Sequence, residues 1–261
     1  MTLDTSCDQP APDEPGLAAL RGAGALTVLL DYDGTLVPLA MRPELAAPDT
    51  ELQRLLRGLI ARAGLDLHIV SGRLRATLDH WFGELPISLW AEHGYWHRPA
   101  HRRQWRPQVA LPDDWAAPVR HIVQQATAAT PGSFFETKSS SIAWHYRLAP
   151  APVGRQAAAD LQARLLALDS VHGLEVIAGR KVVEVRVPGV TKGLVAKYLR
   201  DQGPVGPIVA IGDDRTDEDL FAALPPTAVT ITVGMRPSRA RYRLPDAPAV
   251  RELLTTLLVR W

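Results

Sequence analysis

The chain has few of the features that would tie it to an oxidising compartment, a membrane or a polyanion. A single cysteine, Cys7, in 261 residues rules out an internal disulfide, which suits a reducing compartment and gives the cytoplasm as the expected location. No apolar run comes near the ~20 residues that span a bilayer. The start, MTLDTSCDQPAPDEPG, lacks the basic and apolar regions of a signal peptide. That opening is polar and proline-rich, which predicts a disordered acidic tail over 1–18. A surplus of charge is missing as well, because 29 Lys and Arg face 28 Asp and Glu for a net charge of +1. No electrostatic ground remains for a nucleic-acid or membrane partner, and any anionic ligand must be held by local geometry.

What is present is ordinary globular sequence, 46% hydrophobic, with enough length for a sizeable core. The run ALTVLL from Ala25 is continuous and apolar and stops at Asp31, the mark of a strand buried on both faces in a parallel sheet. Asp49 and Thr50 offer helix caps ahead of Leu52, Leu55, Leu56, Leu59 and Ile60, which fall on one helical stripe. LDLHIV then reads as a strand ending at Ser71-Gly72, Leu74, Leu78, Trp81 and Phe82 as a helix, and ISLWAEHGYW as strand again. This βαβαβ start predicts an α/β fold with a doubly wound, Rossmann-like parallel sheet.

The same rhythm returns late, with a helical stripe at Leu194, Val195, Tyr198 and Leu199, then PIVAIGDD, DEDLFAAL, TAVTITVG and RELLTTLLVRW. In between, a helix, GSFFETK, SIAWHYR, a second helix, LEVIAG and KVVEVRV make an αββαββ pattern whose short links favour antiparallel hairpins. The predicted organisation is a core over 19–110 and 189–261, interrupted by a smaller α+β cap over 111–188. Alternation puts Glu136 and Lys138 on one face of their strand, and sets Glu184 opposite Val183 and Val185, so one face of the cap sheet is polar.

Asp31-Tyr-Asp33-Gly-Thr35-Leu closes the first buried strand, at the edge where ligands bind in open α/β sheets. Two carboxylates there call for a hard divalent cation such as Mg²⁺, which takes oxygen ligands. The cation would hold Asp31 ionised, and a carboxylate beside a neutralised phosphoryl group can attack phosphorus. Asp33 is then placed to protonate the leaving alcohol and later to activate water. Gly34 allows a sharp turn that presents backbone N–H groups to an anion, with Thr35 beside it. Lys192, in GVTKGL at a helix entry, offers an ammonium and helix N–H groups to the same charge.

At this point the chain resembles the haloacid dehalogenase-like (HAD) phosphohydrolases, whose DxDGT signature is matched by Asp31 to Thr35. The resemblance implies that Ser71, with Gly72, hydrogen-bonds the transferring phosphoryl group, and that Asp213 in GDDRTDE joins Asp31 and Asp33 as a metal ligand. It also implies that Asp214 and Asp217 support the site from behind. The order core, αββαββ insert, core resembles the branch that hydrolyses sugar phosphates.

Within that branch the sequence is similar to the trehalose-6-phosphate phosphatase family across nearly its whole length, through DYDGTL, SGR, AEHGYW, ETK, HYR, KVVEVR, TKG and GDDRTDE. That similarity implies that Glu136, Lys138 and Glu184 grip sugar hydroxyls, as suits carboxylate acceptors and an ammonium donor. Arg73, His93 and Arg147 lie in matched segments and are expected near phosphate or sugar. The implied activity is Mg²⁺-dependent hydrolysis of trehalose 6-phosphate in trehalose biosynthesis, by a monomer with a small sugar-phosphate ligand. A sister phosphatase acting on sucrose phosphate, glucosyl-3-phosphoglycerate or a mannosyl analogue would share every core motif. The tail before Gly16 has no counterpart in that family's catalytic unit, and the expectation is a stand-alone phosphatase.

Taken singly, each residue also has a plain structural reading. Ser71-Gly72 is a strand-to-helix cap, Lys192 a solvated charge, and Glu136, Lys138 and Glu184 cross-strand charges worth ~0.2–1 kcal/mol each. Trp90, Trp96, Trp105 and Trp144 sit within apolar runs and are expected in the packing.

Overall fold

A computed structural model describes residues 9–12, 20, 23–40, 43–179 and 181–260, with the side chains of 43, 44, 169–172, 259 and 260 left out. These residues divide into two compact units, one drawn from 1–108 with 191–261 and the other from 109–190.

In the first unit the chain runs β1 (Leu26–Asp31), α1 (Thr50–Ile60), β2 (Leu65–Val70), α2 (Arg75–Phe82), β3 (Ser88–Ala91), β4 (Trp96–Arg98) and β5 (Arg106–Pro107). The second unit holds α3 (Ala116–Ala129), β6 (Phe134–Thr137), β7 (Ser141–His145), α4 (Ala151–His172), β8 (Glu175–Gly179) and β9 (Val182–Arg186). The chain returns to the first unit with α5 (Gly193–Gln202), β10 (Ile208–Gly212), α6 (Arg215–Ala223), β11 (Val229–Val233), β12 (Tyr242–Leu244) and α7 (Ala247–Arg260).

The first unit's sheet has the strand order β12-β11-β10-β1-β2-β3-β4-β5. Pairing is parallel from β12 through to β3, and the β3-β4 and β4-β5 pairs are antiparallel. Burial on both faces explains the unbroken apolar strands. Leu26, Val28 and Leu30 of β1 pack with Leu52, Leu56 and Leu59 of α1, Leu78 and Phe82 of α2, and Leu254 and Leu257 of α7. Leu29 points the other way, with Trp90, Val195, Leu199 and Leu220. Each such side chain contributes about 1.5–3 kcal/mol by leaving water. The helix over 50–60 starts where the caps predict, since the Asp49 carboxylate accepts from Leu52 N at 2.7 Å.

Two local readings differ from the structure. ISLWAEHGYW is not one strand, because β3 stops at Ala91 and the chain reverses through a 3-10 turn into antiparallel β4. Glu92 and His93 both take positive φ there, 52° and 57°, a reversal that a hydropathy pattern does not show. The tail expected over 1–18 lies mostly outside the described residues. Within it, however, Pro10 O accepts from Arg243 N at 2.9 Å, and Gln9 Nε2 donates to Ser238 O at 2.7 Å, so this stretch is tied to the β12 edge.

The second unit's sheet is antiparallel in the order β6-β7-β9-β8. Ile142, Trp144, Val183 and Val185 alternate onto one face and are buried together with Val119 and Val123 of α3 and Leu161 and Leu165 of α4. Its other face carries Glu136, His145 and Glu184. No helix among the described residues is long and apolar enough to cross a membrane.

Candidate active site

Parallel pairing brings three strand ends to one edge of the first sheet. Asp31 is the last residue of β1, Ser71 follows β2, and Asp213 follows Gly212 of β10. Lys192, at the start of α5, is 1% exposed, and its ammonium donates to Asp31 Oδ1 at 2.6 Å and to Asp217 Oδ1 at 2.9 Å. A lysine so deep is stable only when paired, and here two buried carboxylates pair it.

Asp217 is itself held by a reciprocal cap at the start of α6. Asp214 Oδ1 accepts from Thr216 N at 2.7 Å and from Asp217 N at 3.3 Å, while Asp217 Oδ2 accepts from Asp214 N at 3.2 Å. Asp214 and Asp217 are thereby joined in one cap, and Asp217 links it to Lys192. Gly34 takes φ 85°, and a β-carbon on it would overlap the Asp213 carboxylate, so glycine is needed there twice over.

The charges do not balance. Burial drives the Asp31 carboxyl upward despite Lys192, and Asp217 is pushed up for the same first reason, with Asp31 and Asp214 adding to it. Burial, Asp31 and Asp214 push Asp213 to about 8. Lys192 moves upward because Asp217 and Asp31 outweigh its burial. Asp214 resists its own burial and moves down, through Lys192 and the Thr216 hydroxyl. One ammonium among these acids leaves the cluster short of positive charge.

Carboxylate oxygens of Asp31, Asp213 and Asp217 lie within 4.8 Å of one another. Both Asp217 oxygens are engaged, whereas Asp31 Oδ2 and Asp213 Oδ1 are buried with no hydrogen-bond partner among the described residues. Two unpartnered oxygens in a negatively charged pocket fit a hard cation, which would complete its shell with water and substrate oxygens.

Asp33, expected among the metal ligands, does not bring its carboxylate into this group. Arg73 takes it instead, Nε donating to Oδ2 at 2.8 Å and Nη2 to Oδ1 at 2.5 Å, a two-bond pairing that only a guanidinium can make. Arg73, expected on the substrate, thus meets Asp33 first. Ser71 and Thr35 are buried, and the Thr35 hydroxyl has no partner among the described residues. Backbone bonds from Glu92 N to Arg73 O and from His93 N to Ser71 O, both 3.0 Å, tie the turn after β3 to the Ser71-Gly72-Arg73 loop. A β-carbon on Gly72 would overlap the His93 imidazole, so any larger residue there has to displace that ring.

On the polar face of the second unit's sheet, Glu136 stands opposite Ala143 and Ala143 opposite Glu184. His145, not among the expected substrate residues, lies on the same face two residues along from Ala143, opposite Phe134 and Val182. Burial lowers its pKa, while Glu136 and Glu184 push it up and Lys138 and Arg147 push it down. The signal was available, since Ala143, His145 and Arg147 follow the period of 2 that marks one face.

A family model described as trehalose-phosphatase matches residues 29–248. The bifunctional trehalose-6-phosphate synthase/phosphatase of Thermoproteus tenax is 40% identical over 230 residues, 88% of this chain and 31% of that protein. The trehalose-phosphatase of Schizosaccharomyces pombe is 32% identical over 272 residues, 97% of this chain and 33% of that protein. The chain therefore spans about a third of the length of these curated relatives. Among solved structures, the C-terminal domain of Candida albicans trehalose-6-phosphate phosphatase is similar with a TM-score of 0.84 and 28% identity, covering 96% of this chain and 99% of that one. The Aspergillus fumigatus trehalose-6-phosphate phosphatase, in one crystal form, gives 0.73 and 32% over the same shares. With the matched span running from β1 past β12 through both units, the chain belongs to the trehalose-phosphatase family.

Proposed function

We propose that the chain hydrolyses trehalose 6-phosphate to trehalose and phosphate through an aspartyl-phosphate on Asp31, with Mg²⁺ as cofactor. The observation that carries the reaction is the buried Asp31, pinned by Lys192 at one oxygen and without a partner at the other, beside Asp213. Family membership supports the substrate.

In the first step Asp31 attacks phosphorus, the bond from phosphorus to the sugar oxygen breaks, and Asp33 gives that oxygen its proton. In the second, Asp33 takes a proton from water, the water oxygen bonds phosphorus, and phosphate leaves with Asp31 restored. Arg73 fixes the direction of the Asp33 carboxylate in its ionised form, and one of these two bonds has to give way whenever Asp33 carries the proton. Thr35 and Ser71 hydroxyls and the Gly72 backbone are the donors for phosphoryl oxygens, whereas the Gly34 N–H, expected to face the anion, is taken by Val37 O at 2.8 Å. Lys192 holds Asp31 in its attacking position and adds positive charge, while Asp214 and Asp217 keep Lys192 in place. Mg²⁺, held by Asp31 and Asp213, would offset the charge on the transferring group. In the second unit, Glu136, Lys138, Glu184 and Arg147 are the residues for sugar hydroxyls.

The test is phosphate release by the purified chain from a panel of trehalose 6-phosphate, sucrose phosphate and glucosyl-3-phosphoglycerate, with Mg²⁺ and with EDTA. Clear preference for trehalose 6-phosphate, lost in EDTA, is expected. A preference for another sugar phosphate, retained in Glu136→Ala and Glu184→Ala, would overturn the substrate while leaving the phosphoryl chemistry in place.

A further inference from the structure

The polar face of the antiparallel sheet has a small floor and a polar rim. Ala143 and Ser141 of β7 are 5% and 4% exposed and carry too little side chain to fill the face. Glu136 on β6 and Glu184 on β9 stand on either side of Ala143. His145, two residues further along β7, projects to the same face. Its ring stacks on Phe134, with centroids 4.8 Å apart and planes at 18°.

That ring has an unused atom. His145 Nε2 is buried and makes no hydrogen bond among the described residues; the nearest charged oxygen, Glu136 Oε2, is 4.0 Å away and too far to count as one. A buried polar atom left without a partner costs about 1–3 kcal/mol. The unmet bond at Nε2, beside the half-exposed Glu136 side chain, suits a ligand that supplies it.

Two properties of the site point to the ligand chemistry. Glu136 and Glu184 act on the ring with one sign and Lys138 and Arg147 with the other, so neither charge dominates there and a neutral polar group suits it. Burial keeps the imidazole neutral, and a neutral imidazole carries one donor and one acceptor nitrogen. A sugar hydroxyl also donates and accepts, and can bond the imidazole and a neighbouring carboxylate together.

We propose that His145 is a specificity-determining residue whose Nε2 hydrogen-bonds a hydroxyl of the substrate's sugar between Glu136 and Glu184. The proposal rests on the sugar-phosphatase reading and deepens it.

The experiment compares His145→Ala and His145→Asn with the wild-type chain on trehalose 6-phosphate and on p-nitrophenyl phosphate, which has no sugar. For His145→Ala, kcat/KM on trehalose 6-phosphate is expected to fall about 10- to 100-fold, the range of one lost buried hydrogen bond. The p-nitrophenyl phosphate rate should stay within about twofold, and His145→Asn, which keeps a donor and an acceptor, should recover part of the loss. An unchanged trehalose 6-phosphate rate overturns the proposal, and so does an equal fall on both substrates. If the wild-type chain ignores trehalose 6-phosphate but hydrolyses another sugar phosphate, the proposed substrate fails and the His145 comparison is read on that sugar. If it hydrolyses p-nitrophenyl phosphate and no sugar phosphate, both fail.

Discussion

The chain holds two polar clusters built on opposite principles. At the strand ends of the first unit, Asp31, Lys192 and Asp217 are at most 5% exposed and locked by short bonds. On the second unit's sheet, Glu136 is 43% exposed and reaches His145 only at 4.0 Å. Each member of the buried set sits in low dielectric, where losing one partner strands the others. Members of the open set are solvated and can change singly. Such a contrast suits a division between an invariant reaction and an adjustable choice of substrate.

The largest effect that would sharpen this contrast is on turnover. Asp31→Asn is expected to lower phosphate release by at least about 10³-fold with circular dichroism unchanged, because the nucleophile is lost and the side-chain shape is kept. Residual activity within about tenfold of wild type would break the assignment of the nucleophile.

Stability comes next. Lys192→Met leaves Asp31 and Asp217 buried without their cation and should cost about 3–5 kcal/mol in urea unfolding. Glu184→Ala, on the open face, should stay within about 0.5 kcal/mol. Equal costs would mean that the two clusters do not differ in the way their burial implies.

A smaller effect tests the glycine in the buried site. Because a β-carbon at Gly72 meets His93, Gly72→Ala should act by displacing that ring. Gly72→Ala and His93→Ala are each expected to lower kcat/KM about tenfold, and the double variant should be no worse than the poorer single one. Additive losses would show that the two residues act separately.

The mildest prediction concerns pH. The Asp213 carboxyl is raised to about 8 in the folded chain, against about 3.9 when unfolded. Between those values the folded chain binds a proton that the unfolded chain has released, so this contribution to stability is present at low pH and is lost as pH rises toward 8. In EDTA, the melting temperature should decline from pH 5 to pH 8.5, and Asp213→Asn should flatten the decline. A melting temperature that climbs over this range in EDTA would contradict the charge imbalance.

Much of the fold was legible because its signals are local. β1, β2 and β10 are apolar runs ended by an acid, serine or glycine, and a strand buried on both faces needs no alternation to be found. The strands β4, β5 and β12 were not legible, for they are two or three residues long and exist through pairing with longer neighbours. The turn at Glu92-His93 was missed for a related reason. Positive φ at two residues other than glycine is imposed by hydrogen bonds to the Ser71 loop, not by their own preference.

By itself the sequence determined which residues end at the sheet's carboxyl edge, since strand termination is set by residues adjacent in the chain. It also set the polar face of the inserted sheet, by alternation. Only the tertiary structure decided how the charges pair. Asp31 and Asp33 are two positions apart and look alike in sequence, yet one receives Lys192 from 161 residues away and the other receives Arg73 from 40. Which cation reaches which acid depends on the packing of α5 and on the path of the loop after β2. His145 came into view only when the β6-β7-β9 register set it on the same face as Glu136 and Glu184, two residues along β7 from the Ala143 that they flank.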